Sequence, residues 1–204
     1  MSSKMGKLFV VSGSSGSGKG TVLDALFKMS DNFCYSVSAT TRPPRAGEKE
    51  GVDYFFVSRE QFIDMIEKGE MLEYAEFCGN LYGTPKKFVA EQLAKGMNVI
   101  LEIEVCGAMQ IKEKIPDAVL IFITPPSFEE LKKRLHDRGT ETDEAMEERL
   151  KTALTEIKFA KEYDYIIVNR TGESEKAARD ILAIADGTYV KDAQAQEILR
   201  NFIN

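Results

Sequence analysis

The sequence predicts an α/β fold built on a mostly parallel sheet with helices on both sides. Two continuous apolar runs, NVILEI at residues 98–103 and VLIFIT at residues 119–124, are typical of strands that are covered on both faces. These runs alternate along the chain with segments of helical periodicity, and this alternation favours parallel strands joined by helices. The length of 204 residues predicts a single domain spanning residues 1–204.

The elements can be assigned in order from periodicity and from helix start and stop signals. Ser58 with Gln61 and Ser127 with Glu130 form capping boxes that predict helix starts, and Thr84 predicts another start. The predicted strands are 7–12, 53–57, 71–77, 98–103, 119–124 and 163–169. The predicted helices are 21–29, 59–68, 85–95, 107–114, 128–138, 145–162 and 176–185, followed by an amphipathic tail at 193–202.

Composition limits the classes of function that the chain can have. Hydrophobic residues make up 43% and charged residues 29%, an ordinary balance for a globular domain. The net charge of −6 argues against a general nucleic-acid binder, and no apolar run reaches membrane-spanning length. Residues 1–7 lack the apolar stretch of a secretory signal, and Cys34, Cys78 and Cys106 form no CxxC pair. We therefore expect a cytoplasmic protein without a membrane or nucleic-acid partner.

A phosphate-binding loop is the strongest functional signal in the chain. The segment GSSGSGKGT follows a predicted strand and precedes a predicted helix, which is the context of a P-loop. Its glycines let backbone N–H groups and the helix N-terminus point at an anion, and Lys19 adds positive charge near the β- and γ-phosphates of a nucleotide. The candidate nucleotide-binding residues of this loop are Gly13, Ser14, Ser15, Gly16, Ser17, Gly18, Lys19, Gly20 and Thr21. A P-loop alone could belong to a GTPase, an ATPase motor or a kinase.

One position of the P-loop departs from the usual pattern. A Ser or Thr normally follows the lysine and binds Mg²⁺, but here Gly20 follows Lys19 and the hydroxyl comes one residue later, at Thr21. The chain has one histidine and no HExxH motif, cysteine pair or spaced aspartate loop. We therefore expect any Mg²⁺ to arrive with a phosphate ligand, held mainly by nucleotide oxygens and waters, with Thr21 on a phosphate.

A second group of polar motifs lies in the first half of the chain. The segment SATTRPPR places Arg42 and Arg45 around a stiff Pro-Pro step, and two guanidiniums can clamp a phosphate dianion by forked hydrogen bonds. The motifs GVDY, LEYAE and GNLYGT follow at residues 51–54, 72–76 and 79–84 and supply hydroxyls and carboxylates. The N/TKxD segment with which GTPases read guanine is absent from the sequence.

Taken in order, these motifs resemble those of the guanylate kinase family. The similarity includes the P-loop, S-x-T-T-R-x-x-R, G-x-x-Y, L-E-x-A-E with G-N-x-Y-G-T, an acidic strand end and an R-G-T-E-T lid segment. It implies a P-loop NTP hydrolase-like nucleoside monophosphate kinase fold and phosphoryl transfer from ATP to GMP, and also to dGMP. It divides the chain into a core of 1–35, 89–126 and 159–204, a GMP-binding insert at 36–88 and a lid at 127–158.

The resemblance also implies a role for each matching residue on the GMP side. The GMP phosphate would be held by Ser38, Arg42, Arg45, Tyr54 and Tyr82. Glu73 would accept hydrogen bonds from guanine N1–H and the 2-amino group, and Thr84 would reach O6. Adenine presents an acceptor at N1, so AMP would leave buried groups unmatched at a cost of about 1–3 kcal/mol each.

Further implied roles concern the metal, the base of ATP and the lid. Glu102 would orient the water shell of Mg²⁺ and Glu104 would bind GMP, both in positions where the family usually has aspartate. Asn169 would meet the adenine side of ATP, although Arg170 replaces the usual aspartate after it. The catalytic residues would be Lys19, Arg42 and three lid arginines that neutralise the transferred phosphoryl group, namely Arg134, Arg138 and Arg149.

Two other functions stay open at this point. Guanylate-kinase-like domains of scaffold proteins bind phosphopeptides through the GMP site without catalysis, and the Gly20-Thr21 ending resembles the loop of adenylate kinases. The intact P-loop and the lid arginines favour an enzyme over a binding module. Glu73 and Thr84 favour guanine over adenine as the base that is recognised. The sequence leaves the oligomeric state open.

Overall fold

The computed structural model describes residues 5–137 and 143–203. In this part of the chain the strands are β1 (Leu8–Gly13), β2 (Phe33–Tyr35), β3 (Ala39–Thr40), β4 (Phe55–Phe56), β5 (Met71–Phe77), β6 (Asn80–Pro85), β7 (Asn98–Glu102), β8 (Val119–Thr124) and β9 (Tyr165–Val168). The helices are α1 (Lys19–Met29), α2 (Arg59–Glu67), α3 (Lys86–Ala94), α4 (Val105–Lys114), α5 (Phe128–Asp137), α6 (Asp143–Lys158), α7 (Ser174–Asp186) and α8 (Ala195–Ile203), with a 3-10 turn at Phe159–Glu162.

The contacts within the chain define two compact units. Unit 1 comprises the described residues of 1–10 and 32–119, and unit 2 comprises those of 11–31 and 120–204. No helix in the described ranges combines the length and apolarity that a membrane crossing requires. The division into core, GMP-binding insert and lid stays a prediction.

Unit 1 contains two kinds of strand pairing. In the first, β2 pairs in parallel with β7, and Cys34 lies opposite Val99. In the second, a four-stranded sheet has the order β4-β3-β6-β5, in which β5 and β6 form an antiparallel hairpin. A small core of Ala39, Phe62, Met71 and Leu81 lies beneath this second sheet and attaches α2 to it. The sheet therefore has its own apolar support within unit 1.

Unit 2 packs helices around parallel strands. β8 pairs in parallel with β9, and Phe122 and Ile123 on β8 are fully buried. Helix α1 packs against α7, while α8 contacts α6 and β9. The two unbroken apolar runs of the sequence, now β7 in unit 1 and β8 in unit 2, are the doubly covered strands that they were predicted to be. The prediction of parallel strands with covering helices is therefore confirmed.

Several predicted boundaries are confirmed and one is wrong. The capping box of Ser58 with Gln61 is present at the start of α2, and Glu130 N–H donates to Ser127 Oγ at 3.1 Å at the start of α5. The predicted cap at Thr84 is wrong, because Thr84 lies inside β6 and Pro85 is the N-cap residue of α3. The hydroxyl of Thr84 has a different partner, as described below.

Three strands have no counterpart among the predicted ones. β2 and β3 are only three and two residues long, too short for a period-two pattern to be recognised. β6 has the sequence NLYGTP, whose glycine and proline are typical of turns. Its antiparallel pairing with β5 across a short turn makes it a strand despite these two residues. The predicted helix 145–162 ends earlier, as α6 followed by the 3-10 turn.

Candidate active site

The P-loop lies in unit 2 between the end of β1 and the start of α1. Gly18 is the N-cap residue of α1 and has a φ of 81°. A Cβ atom at Gly18 would lie 2.4 Å from Nδ2 of Asn169, so a side chain is excluded there. Gly16 has a φ of 82°. Left-handed backbone at these two positions is available to glycine at little cost, and it gives the loop its shape.

The polar groups of this loop fit a site that phosphate oxygens complete. Lys19 Nζ donates to the backbone oxygens of Gly13 at 2.5 Å and Ser14 at 3.4 Å. The hydroxyls of Ser14 and Ser17 are fully buried and have no hydrogen-bond partner among the described residues. Buried hydroxyls are ordinarily paired. The loop therefore combines a lysine with two buried hydroxyls that have no partner among the described residues.

Asn169 and Arg134 attach the P-loop to the rest of unit 2. Asn169 is 5% exposed, and its Nδ2 donates to the backbone oxygen of Ser17 at 2.9 Å. Arg134 donates through Nη1 to the same oxygen at 3.3 Å and through Nη2 to the backbone oxygen of Asn169 at 2.9 Å. Asn169, Arg134 and Thr21 line a cavity of about 470 Å³. This is the cavity of unit 2 that adjoins the P-loop.

Two of the three predicted lid arginines lie among the described residues. Arg134 belongs to α5, and its Nε donates to Oε1 of Glu130 at 2.8 Å, which together with the contacts above ties it to the P-loop. Arg149 is half-buried in α6. Arg138 lies outside the described residues. The catalytic role of all three stays a prediction.

The predicted GMP-phosphate residues lie together in unit 1. Arg42 Cζ lies 5.5 Å from the ring centre of Tyr54, and the rings of Tyr54 and Tyr82 meet edge to face with centroids 6.1 Å apart. Ser38, Tyr54 and Tyr82 line one cavity. Burial raises the pKa of the Tyr54 hydroxyl, which keeps it protonated as a donor. Arg45 is exposed in the irregular segment that follows Arg42.

A buried carboxylate marks the predicted guanine site. Glu73 on β5 is only 4% exposed, and Thr84 on β6 donates its hydroxyl proton to Glu73 Oε1 at 2.6 Å. The register of the β5–β6 hairpin shifts between Met71 and Tyr74, so Glu73 lies at an irregularity of the kind that redirects a side chain. Burial raises the pKa of Glu73, opposed by the hydrogen bond from Thr84 and the charge of Lys114.

The contact between Glu73 and Thr84 bears on the predicted role of Thr84. A threonine hydroxyl carries one proton, and in this structure that proton is donated to Glu73. A hydrogen bond from Thr84 to guanine O6 would require the hydroxyl to rotate. The contact to O6 stays a prediction, and the described role of Thr84 is to hold the Glu73 carboxylate.

Glu73 borders a cavity of about 320 Å³ within unit 1. Gly107, in the first turns of α4, also lines this cavity, and a Cβ atom on it would lie 2.7 Å from Glu73 Oε2. The absence of a side chain at Gly107 therefore makes room for the carboxylate. Of the predicted GMP-binding residues, the cavity brings together Ser38, Tyr54, Glu73, Tyr82 and Glu104.

The two glutamates of the acidic strand end line the same cavity. Glu102 is the exposed last residue of β7, and Glu104 is the exposed N-cap residue of α4. Among the residues that the structure describes, no group of three or more His, Cys, Asp or Glu side chains is arranged to hold a metal ion. Thr21 is exposed in the first turn of α1.

Sequence reasoning missed two residues that shape the site. Glu48 pairs with Arg42, with Arg42 Nη2 and Glu48 Oε1 2.8 Å apart. An acid six residues after an arginine in an irregular segment has no recognisable spacing, so only the folded turn reveals this pair. Gly107 was visible as a glycine after the acidic strand end, but its closeness to Glu73 depends on the packing of α4 against β5.

These features define a class of protein. A P-loop between a strand and a helix is typical of proteins that bind a nucleoside triphosphate. In unit 1, Tyr54, Tyr82 and the buried Glu73 line one cavity, with Arg42 beside Tyr54. Together they are the parts of a P-loop nucleoside monophosphate kinase.

Comparison with known proteins identifies the family within this class. The model of the guanylate kinase family matches residues 5–183. A guanylate kinase of Clostridioides difficile (strain 630) is 51% identical over 196 residues, covering 96% of this chain and 95% of that protein. One from Streptococcus agalactiae serotype III is 55% identical over 168 residues, covering 82% and 80%. The chain therefore belongs to the guanylate kinase family.

A solved structure supports the same conclusion for the fold. The crystal structure of guanylate kinase from Anaplasma phagocytophilum matches with a TM-score of 0.70 and 36% identity, covering 98% of this chain and 97% of that one. The predicted P-loop kinase fold and the resemblance to guanylate kinases are thus confirmed.

Proposed function

We propose that this chain carries out the reaction of its family through the residues described above. The family assignment makes it an ATP-dependent guanylate kinase, with ATP and GMP as substrates and ADP and GDP as products. The observation that carries the residue-level proposal is the buried Glu73 carboxylate, held by Thr84 at 2.6 Å beside the cavity of unit 1. A buried acceptor suits guanine, which presents two adjacent donors on one edge.

Glu73 is the residue that selects guanine. Its carboxylate accepts from guanine N1–H and the 2-amino group, while Glu104 on the same cavity binds the base from a second direction. AMP presents an acceptor at N1 and no 2-amino group, so its binding would leave the buried carboxylate without donors. A site built on donors of the substrate rejects analogues that lack them more strongly than a site built on shape alone.

The phosphate of GMP binds the arginine–tyrosine cluster. Arg42 supplies forked guanidinium donors, Tyr54 and Tyr82 supply hydroxyls, and Arg45 adds a second positive charge. Ser38 lines the same cavity and supplies a further hydroxyl. The accepting phosphate is already an anion, so the transfer needs no general base. The proposed task of these residues is to orient and neutralise the acceptor.

The P-loop holds the donor nucleotide. Its backbone N–H groups and the hydroxyls of Ser14 and Ser17 bind phosphate oxygens, and Lys19 exchanges its contacts with Gly13 and Ser14 for the β- and γ-phosphates. Asn169 and the cavity beside it take the adenine side of ATP. Arg134, Arg138 and Arg149 are proposed to neutralise the transferred phosphoryl group.

Guanylate kinases generally use Mg²⁺ with ATP, and when bound the ion neutralises charge on the β- and γ-phosphates. We assign Thr21 to a phosphate oxygen at the start of α1 and Glu102 to the orientation of metal-bound water. A Cβ atom on Gly20 would meet nothing within 4 Å, so packing does not dictate the glycine that replaces the usual hydroxyl residue. The proposal therefore leaves the metal mainly to the nucleotide and water.

Three further parts of the proposal concern a second acceptor, the location of the protein and the organisation of the chain. The proposed GMP contacts are made to the base and the phosphate, so dGMP is expected to serve as a second acceptor. The free thiols of Cys34, Cys78 and Cys106 favour a cytoplasmic location. The core, the GMP-binding insert at 36–88 and the lid at 127–158 are retained as the proposed organisation.

An acceptor panel tests the proposed function. ADP release from Mg-ATP is measured with GMP, dGMP, AMP, CMP and UMP, for the parent chain, for Glu73→Gln and for the control Glu76→Gln, an exposed acid on the same strand. The parent and the control should use GMP and dGMP only. Glu73→Gln should lower kcat/KM for GMP by about 10- to 100-fold, which corresponds to about 1–3 kcal/mol, while the KM for ATP is retained.

Two outcomes would contradict this account. Folded parent protein that turns over no acceptor would favour the phosphopeptide-binding module instead. An unchanged kcat/KM for GMP in Glu73→Gln would remove Glu73 as the residue that selects guanine.

A further inference from the structure

The guanidinium of Arg42 is engaged by a carboxylate of its own turn. Nη2 of Arg42 donates to Glu48 Oε1 at 2.8 Å, and the two side chains are only 12% and 20% exposed. Nη1 of Arg42 donates to the backbone oxygen of Pro43 at 2.8 Å. Its Cζ lies 5.5 Å from the ring centre of Tyr54 and 6.0 Å from that of Phe56. The plane of the guanidinium is therefore fixed by two acceptors and two rings.

Glu48 also holds the backbone that carries the second arginine. Its other oxygen, Oε2, accepts from the backbone N–H of Arg45 at 2.7 Å. The backbone N–H of Glu48 in turn donates to the backbone oxygen of Arg45 at 3.1 Å. One carboxylate thus ties the side chain of Arg42 to the main chain at Arg45. Neither the family motifs nor the spacing in the sequence assigns any role to this residue.

We propose that Glu48 is a positioning residue of the GMP-phosphate site, which holds Arg42 and Arg45 ready for the acceptor phosphate without touching the nucleotide. The inference rests on the proposed function of the two arginines. A guanidinium has five N–H donors. The contacts to Glu48 and Pro43 use one each, and the side chain of Tyr82 also interacts with this guanidinium. Further donors on the same fixed plane can then meet a phosphate in forked geometry.

A carboxylate at this place invites the opposite interpretation, that it competes with the phosphate of GMP. Removal of a competing negative charge would strengthen GMP binding, because the dianion would no longer be repelled. The contacts favour positioning, since both oxygens of Glu48 are directed to donors within the turn and hold them in one arrangement. A long side chain that is already ordered loses less conformational entropy when its ligand binds. The two interpretations predict opposite changes in the KM for GMP.

Steady-state kinetics of Glu48→Gln decide between them. The amide keeps the size but loses the charge and one of the two acceptors, so we expect the KM for GMP to rise about tenfold while the KM for ATP is unchanged. At saturating GMP the kcat should stay within about threefold, because binding restores the orientation of Arg42. The matched control is Asp64→Asn, which removes an exposed carboxylate on α2 that accepts from Lys68 Nζ at 2.6 Å. This control should match the parent.

Arg42→Lys separates a failure of this inference from a failure of the proposed function. If Arg42→Lys leaves the KM for GMP unchanged, the proposed phosphate site is wrong. If it raises the KM while Glu48→Gln does not, only the positioning role is overturned, and a lowered KM in Glu48→Gln would establish a competitor. In the double variant, the effect of Glu48→Gln should be smaller than in the parent, because its contact with Arg42 is already altered and only its hold on the main chain at Arg45 remains.

Thermal melting of each variant shows whether it is folded. If Glu48→Gln does not fold, Glu48→Asp decides the question, since it keeps the charge and shortens the reach by one methylene. It should raise the KM for GMP by about threefold, and an unchanged or lowered KM would overturn the proposal.

Discussion

The two phosphate-binding regions of this chain are built in different ways. The P-loop in unit 2 uses contiguous residues, Gly13–Thr21, and its shape comes from backbone angles at two glycines. The phosphate cluster in unit 1, which we define as Arg42, Arg45, Glu48, Tyr54 and Tyr82, uses side chains from several segments that hold one another in place. In the proposed function the backbone itself would bind the anion in the first region, and in the second the anion would be bound by side chains that other side chains must orient.

This difference sets the expected response to mutation. A backbone cradle largely keeps its geometry when one neighbouring side chain is removed, so the largest effects there are expected at the lysine charge and the essential glycines. A cluster of side chains loses geometry when a supporting residue changes, even one that does not contact the ligand. The unit 1 site should therefore be sensitive at more positions, each with a smaller effect.

The largest expected effect is at Lys19. Lys19→Ala should lower kcat by about 10²- to 10³-fold, because the positive charge at the transferred phosphoryl group is lost while the backbone cradle remains. The KM for GMP should change little. The matched control is Lys28→Ala, which removes an exposed lysine in the last turn of the same helix and should leave turnover unchanged. Turnover of Lys19→Ala within about tenfold of the parent would count against the assigned role.

The same difference between the P-loop and the unit 1 site explains which features the sequence could predict. The place of the P-loop between a strand and a helix was predictable because its motif is contiguous, and β1 and α1 begin within two residues of the predicted limits. The resemblance to guanylate kinases also named Glu73 and Thr84. It did not show that these two residues hydrogen-bond to each other. That contact depends on the pairing of β5 with β6, in which a glycine and a proline conceal the second strand.

The supporting residues Glu48 and Gly107 could not be predicted from the sequence, for the same physical reason. Glu48 lies in an irregular turn where no periodicity places its carboxylate on Arg42. Gly107 supports Glu73 only because α4 packs against β5, which places its Cα close to the carboxylate. Residues that act through other side chains are found by contact and not by motif. The motif residues were predicted, whereas their supports required the structure.

The variant Gly107→Ala should have an effect of intermediate size on GMP kinetics. It tests whether a residue that only supports Glu73 affects the unit 1 site. A Cβ atom at Gly107 would lie 2.7 Å from Glu73 Oε2 and 3.2 Å from Cδ1 of Ile103, and the carboxylate is the flexible end that can move away. Gly107→Ala should therefore lower kcat/KM for GMP by about tenfold, equivalent to about 1.4 kcal/mol, with the KM for ATP unchanged.

The stability of the same variant distinguishes displacement of Glu73 from general damage. Alanine favours a helix over glycine by about 1 kcal/mol, which offsets part of the crowding, so the Tm should stay within about 4 °C of the parent. A large loss of Tm together with equal losses for ATP and GMP would mean that Gly107 is needed for packing alone. Unchanged GMP kinetics would show that the carboxylate position does not matter.

The smallest expected effect is a pH dependence that only the unit 1 site should show. Burial raises the pKa of Glu73, and guanine donors require the ionised carboxylate. As the pH falls towards this raised pKa, the KM for GMP should rise earlier than an ordinary glutamate would allow, while the KM for ATP should not follow. GMP itself titrates near pH 6, so the readout is the difference between the parent and Glu73→Gln at each pH. Parallel profiles would contradict the role of Glu73.

The stability of the fold should also depend on pH, but here ionisation of Glu73 is unfavourable, whereas GMP binding requires it. Because the folded-state pKa of Glu73 lies above the unfolded value, the folded protein binds the proton more tightly. The stability that Glu73 contributes is complete below the unfolded pKa and is lost as the pH rises through the folded pKa. Glu73→Gln should therefore melt at a higher temperature than the parent at neutral pH, and this difference should shrink as the pH falls. A Tm difference that is constant with pH would mean that the buried carboxylate carries no energetic cost, and that the unit 1 site, like the P-loop, needs no destabilising group to bind its nucleotide.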